Sequence, residues 1–362
     1  MTQTQPNKPS IRRKALTTTI ILVAVSALVA FGFYQRNQTT LERYHNRFID
    51  ILPANQGPTI SGPPLASFPP LDQRRMEALT DQQPTLSLTE LFNLKECELQ
   101  QVIIQRNTAL GKVGDAYQQL IHDHQFIEQA PQCITQLQEA QTETDEQETD
   151  LIDALTTTLV IKRKTYRARY WNATLGSAEF KRYASTHNHG AAPTTSPNPQ
   201  ALQPLGAITE SIVAGTITHP PTIDTLQHWY FSQDLGQWQV ETKRMTDTLN
   251  ALTDYLTEQW PAKRLCPAGS PSRRSRDLLS LVKGVLAEQL QPSWVEYRRF
   301  GDQWVAATQP LLAAPKGDLP PAMLEWIHDT HQLHGRSMDA IRRHAQTLSQ
   351  IFAQCGLTIQ EA

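Results

Sequence analysis

The sequence predicts an all-α protein, an elongated multi-helix bundle with an N-terminal transmembrane helix and a proline-rich tether. Three observations support this fold class. Apolar residues recur at steps of three and four over most of the chain. No segment of useful length alternates at the period of a β-strand. A run of uncharged residues long enough to cross a bilayer stands near the N-terminus.

The first element is the uncharged run Ala15–Tyr34, which has 20 residues. A helix of about this length spans the core of a bilayer. The basic cluster Arg12–Lys14 precedes the run and only Arg36 follows closely, so the positive-inside rule predicts a cytoplasmic tail, an anchor and an exported remainder. We expect the tail to be residues 1–14 and the anchor residues 15–36. A cleaved signal peptide is the alternative.

Residues 37–86 are predicted to connect this anchor to the body. Residues 38–50 have a helical pattern, and a proline-rich stretch follows them. Its prolines are Pro53, Pro58, Pro63, Pro64, Pro69 and Pro70. Helix cannot continue through such a stretch. It is expected to be an extended tether, or a strap laid over the body.

Two helical halves are predicted beyond the tether, residues 87–185 and residues 205–362. A loop rich in Pro, Ser and Thr, residues 186–204, separates them. In the first half we expect one helix to end at Pro131 and a long helix to run from about residue 134 to 183. The latter has an acidic first part and a basic second part, an order that complements the helix dipole.

The most regular helix is predicted at the end of the chain, over Pro321–Gln354. Its apolar positions, Met338 and Ile341 among them, repeat at alternating steps of three and four. This heptad pattern predicts a seam that packs against other helices. Cys355 lies on the same seam, which favours a bridge to Cys266.

Four cysteines are present, and none forms a C-x-x-C pair, so zinc and thioredoxin-like chemistry are not indicated. Outside the cytosol an even number favours two disulfides. Of the three pairings, proximity in sequence favours Cys97–Cys133 and Cys266–Cys355, one in each half; four buried thiols are the alternative. Straight antiparallel helices would not bring the first pair together, so a bend at Pro131 is required.

A Gly-Lys pair, Gly111 and Lys112, raises the question of a phosphate-binding loop. Such a loop has the pattern G-x-x-x-x-G-K-[ST] after a strand. Here Arg106 stands where the first glycine is needed, and Val113 follows the lysine. Nucleotide binding is therefore excluded. Arg106, Asn107, Gly111 and Lys112 are predicted to form a corner between helices, and this corner is a candidate functional position.

A second candidate set, in the last helix, consists of Glu325, His328, His331 and His334, spaced three apart. Glu-x-x-His occurs in di-iron helix bundles, but such a site needs a second copy of the motif on a facing helix. The other copy begins at Glu42, close to the predicted anchor. We therefore expect a polar layer rather than a metal site, and no cofactor.

Several segments resemble an uncharacterised bacterial envelope family, domain of unknown function family 3080. They are "ECELQQVIIQRNTALGKV", "YWNATLGSAEF", "LCPAGSPS", "LQPSW" and "FAQCGL". The resemblance covers roughly residues 40 to 357. It implies an exported Gram-negative protein, with the anchor in the inner membrane, the bulk in the periplasm and all four cysteines as framework positions. Members often carry a lipid on an N-terminal Cys, which this sequence lacks. The family supplies no activity.

These observations favour a non-enzymatic binding or scaffold module of the cell envelope. The alternative is an envelope hydrolase acting on cell-wall or lipid material, with Glu96, Glu98 and Arg106 as its best candidates or else the histidines of the last helix. Metal handling is the weaker alternative. Expected partners are the inner membrane, through the N-terminal helix, and another envelope protein or an anionic lipid or glycan facing the basic run 162–169. The net charge of −2 does not indicate nucleic acid.

Overall fold

The computed structural model is all-helical, and no strand occurs in the residues that it describes. The described residues are 39–54, 56–77, 91–92, 94, 97–108, 114–140, 146–186, 197–218, 220–315 and 317–358. Within these ranges no helix combines the length and the apolar composition that crossing a bilayer requires. The predicted anchor, residues 15–36, lies outside them.

The helices are numbered in chain order over the described residues. Their bounds are α1 Thr40–Ile51, α2 Leu71–Arg74, α3 Leu99–Asn107, α4 Ala116–Ala140, α5 Glu146–Ala173, α6 Ala178–Tyr183, α7 Gln203–Ala214, α8 Ile223–Phe231, α9 Asp234–Gln259, α10 Ala262–Leu265, α11 Arg273–Leu281, α12 Gln291–Ala313 and α13 Pro321–Gln354. Short 3₁₀ turns, Pro199–Leu202 and Pro267–Gly269, precede α7 and follow α10, and a π-helical segment, Val282–Leu290, leads into α12.

The largest apolar core is aromatic and crosses the loop that the sequence suggested as a boundary, residues 186–204. Buried rings come from both sides of that loop. They include Trp171, Phe180, Tyr183, Trp229, Trp238, Phe300, Trp304 and Trp326. Edge-to-face and stacked contacts between aromatic rings stabilise a core beyond the effect of burying their apolar area. The two sequence halves thus share one core.

A second core contains α1, which the sequence placed next to the membrane anchor. The helix begins with a capping box, in which Thr39 and Glu42 each accept a hydrogen bond from the other's backbone N–H. Tyr44 and Phe48 on its inner face are fully buried. Tyr44 Oη lies 2.8 Å from His344 Nε2 of α13. The helix is present close to its predicted bounds, and it is an integral part of the body.

His344 links three helices through its two ring nitrogens. Its Nδ1 lies 2.9 Å from Thr253 Oγ1 of α9, while Nε2 faces Tyr44 of α1. Burial lowers the pKa of His344 to about 3, and Arg343 contributes a smaller repulsion. The ring is therefore neutral in the fold, with one nitrogen donating and the other accepting.

A third core packs α3 against α4 and the first half of α5 around the pair Cys97–Cys133, whose Cα atoms are 5.5 Å apart. The predicted helix end at Pro131 is absent, since α4 runs through this proline. Cys133 lies about 10 Å further from the start of α4 than Cys97 lies from the end of α3.

The long helix predicted from 134 to 183 is divided among α4, α5 and α6. The break before α6 has a local cause. Ser177 accepts a hydrogen bond from Phe180 N–H at 3.0 Å, which is an N-cap that starts a new helix.

The last helix, α13, has the predicted bounds, but its buried line differs from the predicted seam. Met338 and Ile341 are only half-buried, whereas Ser337, Ala340 and His344 are buried. Small side chains let α13 pack along α9, and this rotates the larger apolar residues outward. Cys355 at the end of the helix pairs with Cys266, with their Cα atoms 5.4 Å apart.

Candidate functional site

The proline-rich segment lies over the body as a strap, defined as residues 56–70. At its start, Tyr255 Oη donates a hydrogen bond to Leu52 O, which fixes the chain where the strap begins. Near its end, the Phe68 ring lies 4.9 Å from the Trp326 ring in the aromatic core. Between these points most of its side chains are exposed. The segment is therefore attached at both ends and spans the surface between the two cores.

The segment "YWNATLGSAEF" fastens the chain just beyond the strap, at residues 74–76. Trp171 Nε1 donates to Arg74 O at 2.7 Å. The Asn172 amide accepts from Met76 N–H and donates to Met76 O, both at 2.9 Å. Arg74 Nε in turn donates to Gly176 O at 3.1 Å. These bonds satisfy backbone groups at and after the end of α2, where no further helical turn pairs them.

A cleft of about 490 Å³ lies between the strap and the helices α9 and α13. Strap residues Ser61–Ala66 form one wall. The opposite walls are rich in amide and charged side chains. They comprise Gln239, Lys243, Thr246, Asp247 and Asn250 from α9, and Asp329, Thr330, Gln332, Leu333 and Arg336 from α13. The volume is in the range of sites that bind small molecules.

Asp247 is the buried charge of this cleft and lies directly beneath the strap. Lys243, one helical turn earlier, donates to Asp247 Oδ2. Gly62 covers the other carboxylate oxygen so closely that a Cβ atom at position 62 would overlap Asp247 Oδ1. A glycine is therefore needed here for close approach, not for a left-handed backbone.

The open side of the cleft carries Asp329, which is half-buried, and the exposed Arg336. Arg336 Nη1 approaches Gln332 Oε1 at 3.5 Å. With Lys243 and Asp247, the cleft presents two cations and two carboxylates among amides. Charged groups make stronger hydrogen bonds than neutral ones. The arrangement suits a small hydrophilic ligand that carries charges of both signs.

The candidate metal ligands of α13 do not converge. His331 Nε2 lies 2.7 Å from Thr308 Oγ1, and burial lowers the pKa of His331 to about 4. His334 Nε2 lies 2.8 Å from Asp302 Oδ1. His328 is exposed against a glutamine of its own helix, and Glu325 is exposed. Within the described ranges, no group of three or more His, Cys, Asp or Glu residues could hold a metal ion.

The candidate corner is described in part. Helix α3 ends at Asn107, which is exposed, and Arg106 in its last turn is half-buried. Gly111 and Lys112 lie outside the described residues, as does Glu96. Glu98 is exposed at the start of α3.

A buried carboxylate, Asp123 of α4, does lie near the corner. Its side chain accepts from Lys162 and, at 2.6 Å, from Arg169 Nη1. Burial lowers the pKa of Lys162, and Asp123 opposes that effect. Burial lowers the pKa of His122, and the nearby Arg106 lowers it further. This cluster accounts for much of the basic run 162–169 as internal ion pairing, leaving Arg163 and Lys164 exposed.

The comparisons with known proteins identify a family. Residues 41–359 match the family described as "Protein of unknown function (DUF3080)". The chain belongs to the DUF3080 family. It has no match among curated proteins and none among solved structures.

A second opening of about 370 Å³ in this DUF3080 chain lies between α12 and α13. Its floor is apolar, formed by Trp294, Val295, Met338 and Ile341. These include the two seam residues that the packing of α13 on α9 leaves half-buried. Charged residues of both signs stand at its edge, paired with neighbours on their own helices.

A Ser-His-Asp grouping occurs beside α8, but it lacks the geometry of a catalytic triad. Ser232 Oγ and Asp234 Oδ2 both approach His228 Nε2, at 3.3 and 3.4 Å. In a triad the serine and the aspartate contact opposite ring nitrogens, so that the aspartate orients the ring while the other nitrogen takes the serine's proton. Here they share one nitrogen, and the grouping is a helix-end contact.

Sequence reasoning did not find the cleft of the DUF3080 chain. Two signals were present. Lys243 and Asp247 form an i,i+4 pair on a helix that carries an apolar stripe at Met245, Leu249 and Leu252. Gly62 precedes two prolines, in a segment where a glycine serves no turn. Both become meaningful only when the strap is known to lie on α9.

Proposed function

We propose that this DUF3080 protein is a binding module of the bacterial cell envelope, anchored in the inner membrane by residues 15–36 with its body in the periplasm. Two features support that location. The N-terminal run has the length and the flanking charges of an anchor. The cysteines form two pairs at disulfide distance, which favours an oxidising compartment.

The ligand site in this proposal is the strap-covered cleft. The observation that carries it is the convergence of two cations, two carboxylates and several amides in about 490 Å³ under a wall of extended chain. Apolar ligands are disfavoured by such a lining, and so is a ligand of one charge sign. Short peptides and peptide-bearing glycans, which cell envelopes contain, carry both charges and many hydrogen-bonding groups.

The test is a calorimetric titration of the full chain with disaccharide–peptide fragments released enzymatically from cell wall. We expect binding that weakens about tenfold or more in Asp329→Asn and in Arg336→Gln, since each removes a charged hydrogen-bonding group. Asp339→Asn and Arg342→Gln are matched controls, because they alter an exposed ion pair of the same helix that does not line the cleft. Absence of binding, or equal losses in the controls, would contradict the proposal.

One observation favours a second function. Asp247 and Asp329 line the same cleft, and pairs of carboxylates serve as acid and base in glycoside hydrolysis. A hydrolase acting on envelope material would release new products from the same fragments, which mass spectrometry detects. Turnover that disappears in Asp329→Asn would favour the enzyme, and bound fragments recovered unchanged would favour the binding module.

A further inference from the structure

Helix α8 exposes three large apolar side chains to solvent, with the exposed Gln227 between them. Phe231 is 78% exposed, Ile223 55% and Tyr230 47%, whereas Trp229 between them in sequence is fully buried in the aromatic core. The exposed positions are separated by seven and eight residues, which places them on one face of the helix. An exposed cluster of large apolar side chains usually marks an interaction surface.

Cations border the aromatic end of this face. Lys181 and Arg182 occupy the last turn of α6 and are both exposed. The Arg182 guanidinium lies 5.0 Å from the centre of the Tyr230 ring, and the Tyr230 and Phe231 rings are 5.0 Å apart. A cation placed on an aromatic face is attracted to the ring and keeps its hydrogen-bonding groups available. Asp224, an acidic neighbour, lies at the opposite end of the helix.

We propose that this aromatic–basic patch, formed by Lys181, Arg182, Ile223, Tyr230 and Phe231, contacts the surface of a membrane that contains anionic lipid. Aromatic side chains are enriched at the level of the lipid headgroups, where one part of the ring is apolar and the surroundings are wet. Cations beside them are attracted to anionic headgroups.

The composition of the patch favours lipid over a protein partner. Its apolar side chains project from the outer side of a helix, and neither of the two clefts described above includes them. A convex aromatic patch with flanking cations enters the headgroup layer without requiring a complementary pocket. The contact is additional to the proposed anchor. It would fix how the body is oriented on the membrane, whereas an anchor alone only fixes its distance.

The test places a reporter on the patch of the full chain. Phe231→Trp is mixed with vesicles of brominated phosphatidylcholine, with or without phosphatidylglycerol, and the vesicle-bound fraction is isolated by flotation. Bromine quenches only indoles that reach the lipid, so quenching beyond that of the wild-type chain reports contact at residue 231. Val160→Trp is the matched control, because Val160 is 60% exposed on α5.

We expect Phe231→Trp to be quenched more strongly than the control, and more strongly with anionic lipid than without it. Lys181→Gln and Arg182→Gln should each reduce this quenching, because removing one cation weakens partitioning into the anionic vesicles about fivefold. Quenching no greater than that of Val160→Trp overturns the proposal. So does a tryptophan that aqueous acrylamide reaches at low but not at high protein concentration in the same lipid-free detergent, because a second copy of the chain would then cover the patch.

Discussion

His344 leads to a specific prediction for stability in acid. The ring is buried between α1, α9 and α13, and its pKa falls from 6.5 to about 3 in the fold. In the unfolded chain the ring is protonated below 6.5, whereas in the fold it stays neutral until about pH 3. Between about pH 3 and 6.5 unfolding therefore takes up a proton at His344. The stability that the neutral ring contributes is fully present above pH 6.5 and is lost as the pH falls.

The size of this stability loss follows from the pKa shift of His344. Each pH unit below 6.5 removes about 1.4 kcal/mol, so His344 alone lowers the free energy of unfolding by about 2 kcal/mol at pH 5. His331, whose pKa is lowered to about 4, adds a smaller loss because its side chain is less buried. The total is a large part of the stability of an ordinary domain.

The perturbation that isolates this contribution is His344→Gln, which keeps hydrogen-bonding capacity but does not titrate. Urea unfolding of the oxidised full chain in a mild detergent, followed by tryptophan fluorescence at pH 7, 6 and 5, gives the free energies. We expect the variant to be the less stable at pH 7, and its deficit to shrink by about 2 kcal/mol at pH 5. Gln346→Ala on the exposed face of α13 should leave the pH dependence unchanged, because neither side chain titrates. A pH dependence in His344→Gln as steep as that of the wild type would refute the reasoning.

Three substitutions test other parts of the structure. Asp123→Asn should cost about 3–5 kcal/mol in urea unfolding, because it leaves Lys162 buried without its carboxylate. Gly62→Ala should cost about 1 kcal/mol, at the low end for overpacking because the exposed strap can shift off Asp247, and it should weaken ligand binding in the same calorimetric titration. Phe68→Ala should cost about 2–3 kcal/mol, less than a fully buried ring, by releasing the strap from the aromatic core.

Each of these substitutions has a matched control. Asp153→Asn removes an exposed acid from α5 and should be neutral. Gly57→Ala places its Cβ where no atom lies within 4 Å, so it should leave both stability and binding unchanged. Ile60→Ala trims a strap residue that is 49% exposed. A substitution whose effect equals that of its control would show that the contact assigned to it does not stabilise the fold.

The regular features of the fold could be predicted from local pattern. The apolar periodicity of the last helix predicted the bounds of α13. The helical pattern of residues 38–50 predicted α1 to within about two residues. Proximity along the chain favoured the two cysteine pairs. What failed was reasoning about breaks. Pro131 lies inside α4, since a proline that costs a helix one hydrogen bond is tolerated where the flanking helix is well packed.

The site depended on packing that no local pattern contains. Met338 and Ile341 look like core positions, yet the small Ser337 and Ala340 face α9, so the larger pair is left at the surface. The cleft forms only because the strap crosses α9 and α13. The chain just after the strap is held by Trp171 and Asn172 from a distant segment. Contacts of this kind join residues about 100 positions apart, beyond the range of helical periodicity.

The most direct test of the central claim is amide hydrogen exchange of the full chain with and without the cell-wall fragments. A ligand in the cleft should slow exchange in strap residues 61–66 and along the facing parts of α9 and α13, residues 239–250 and 329–336, because it closes the space between them. Slower exchange elsewhere, for instance at the opening between α12 and α13, would contradict binding in the cleft. Unchanged exchange at all of these segments would contradict it as well.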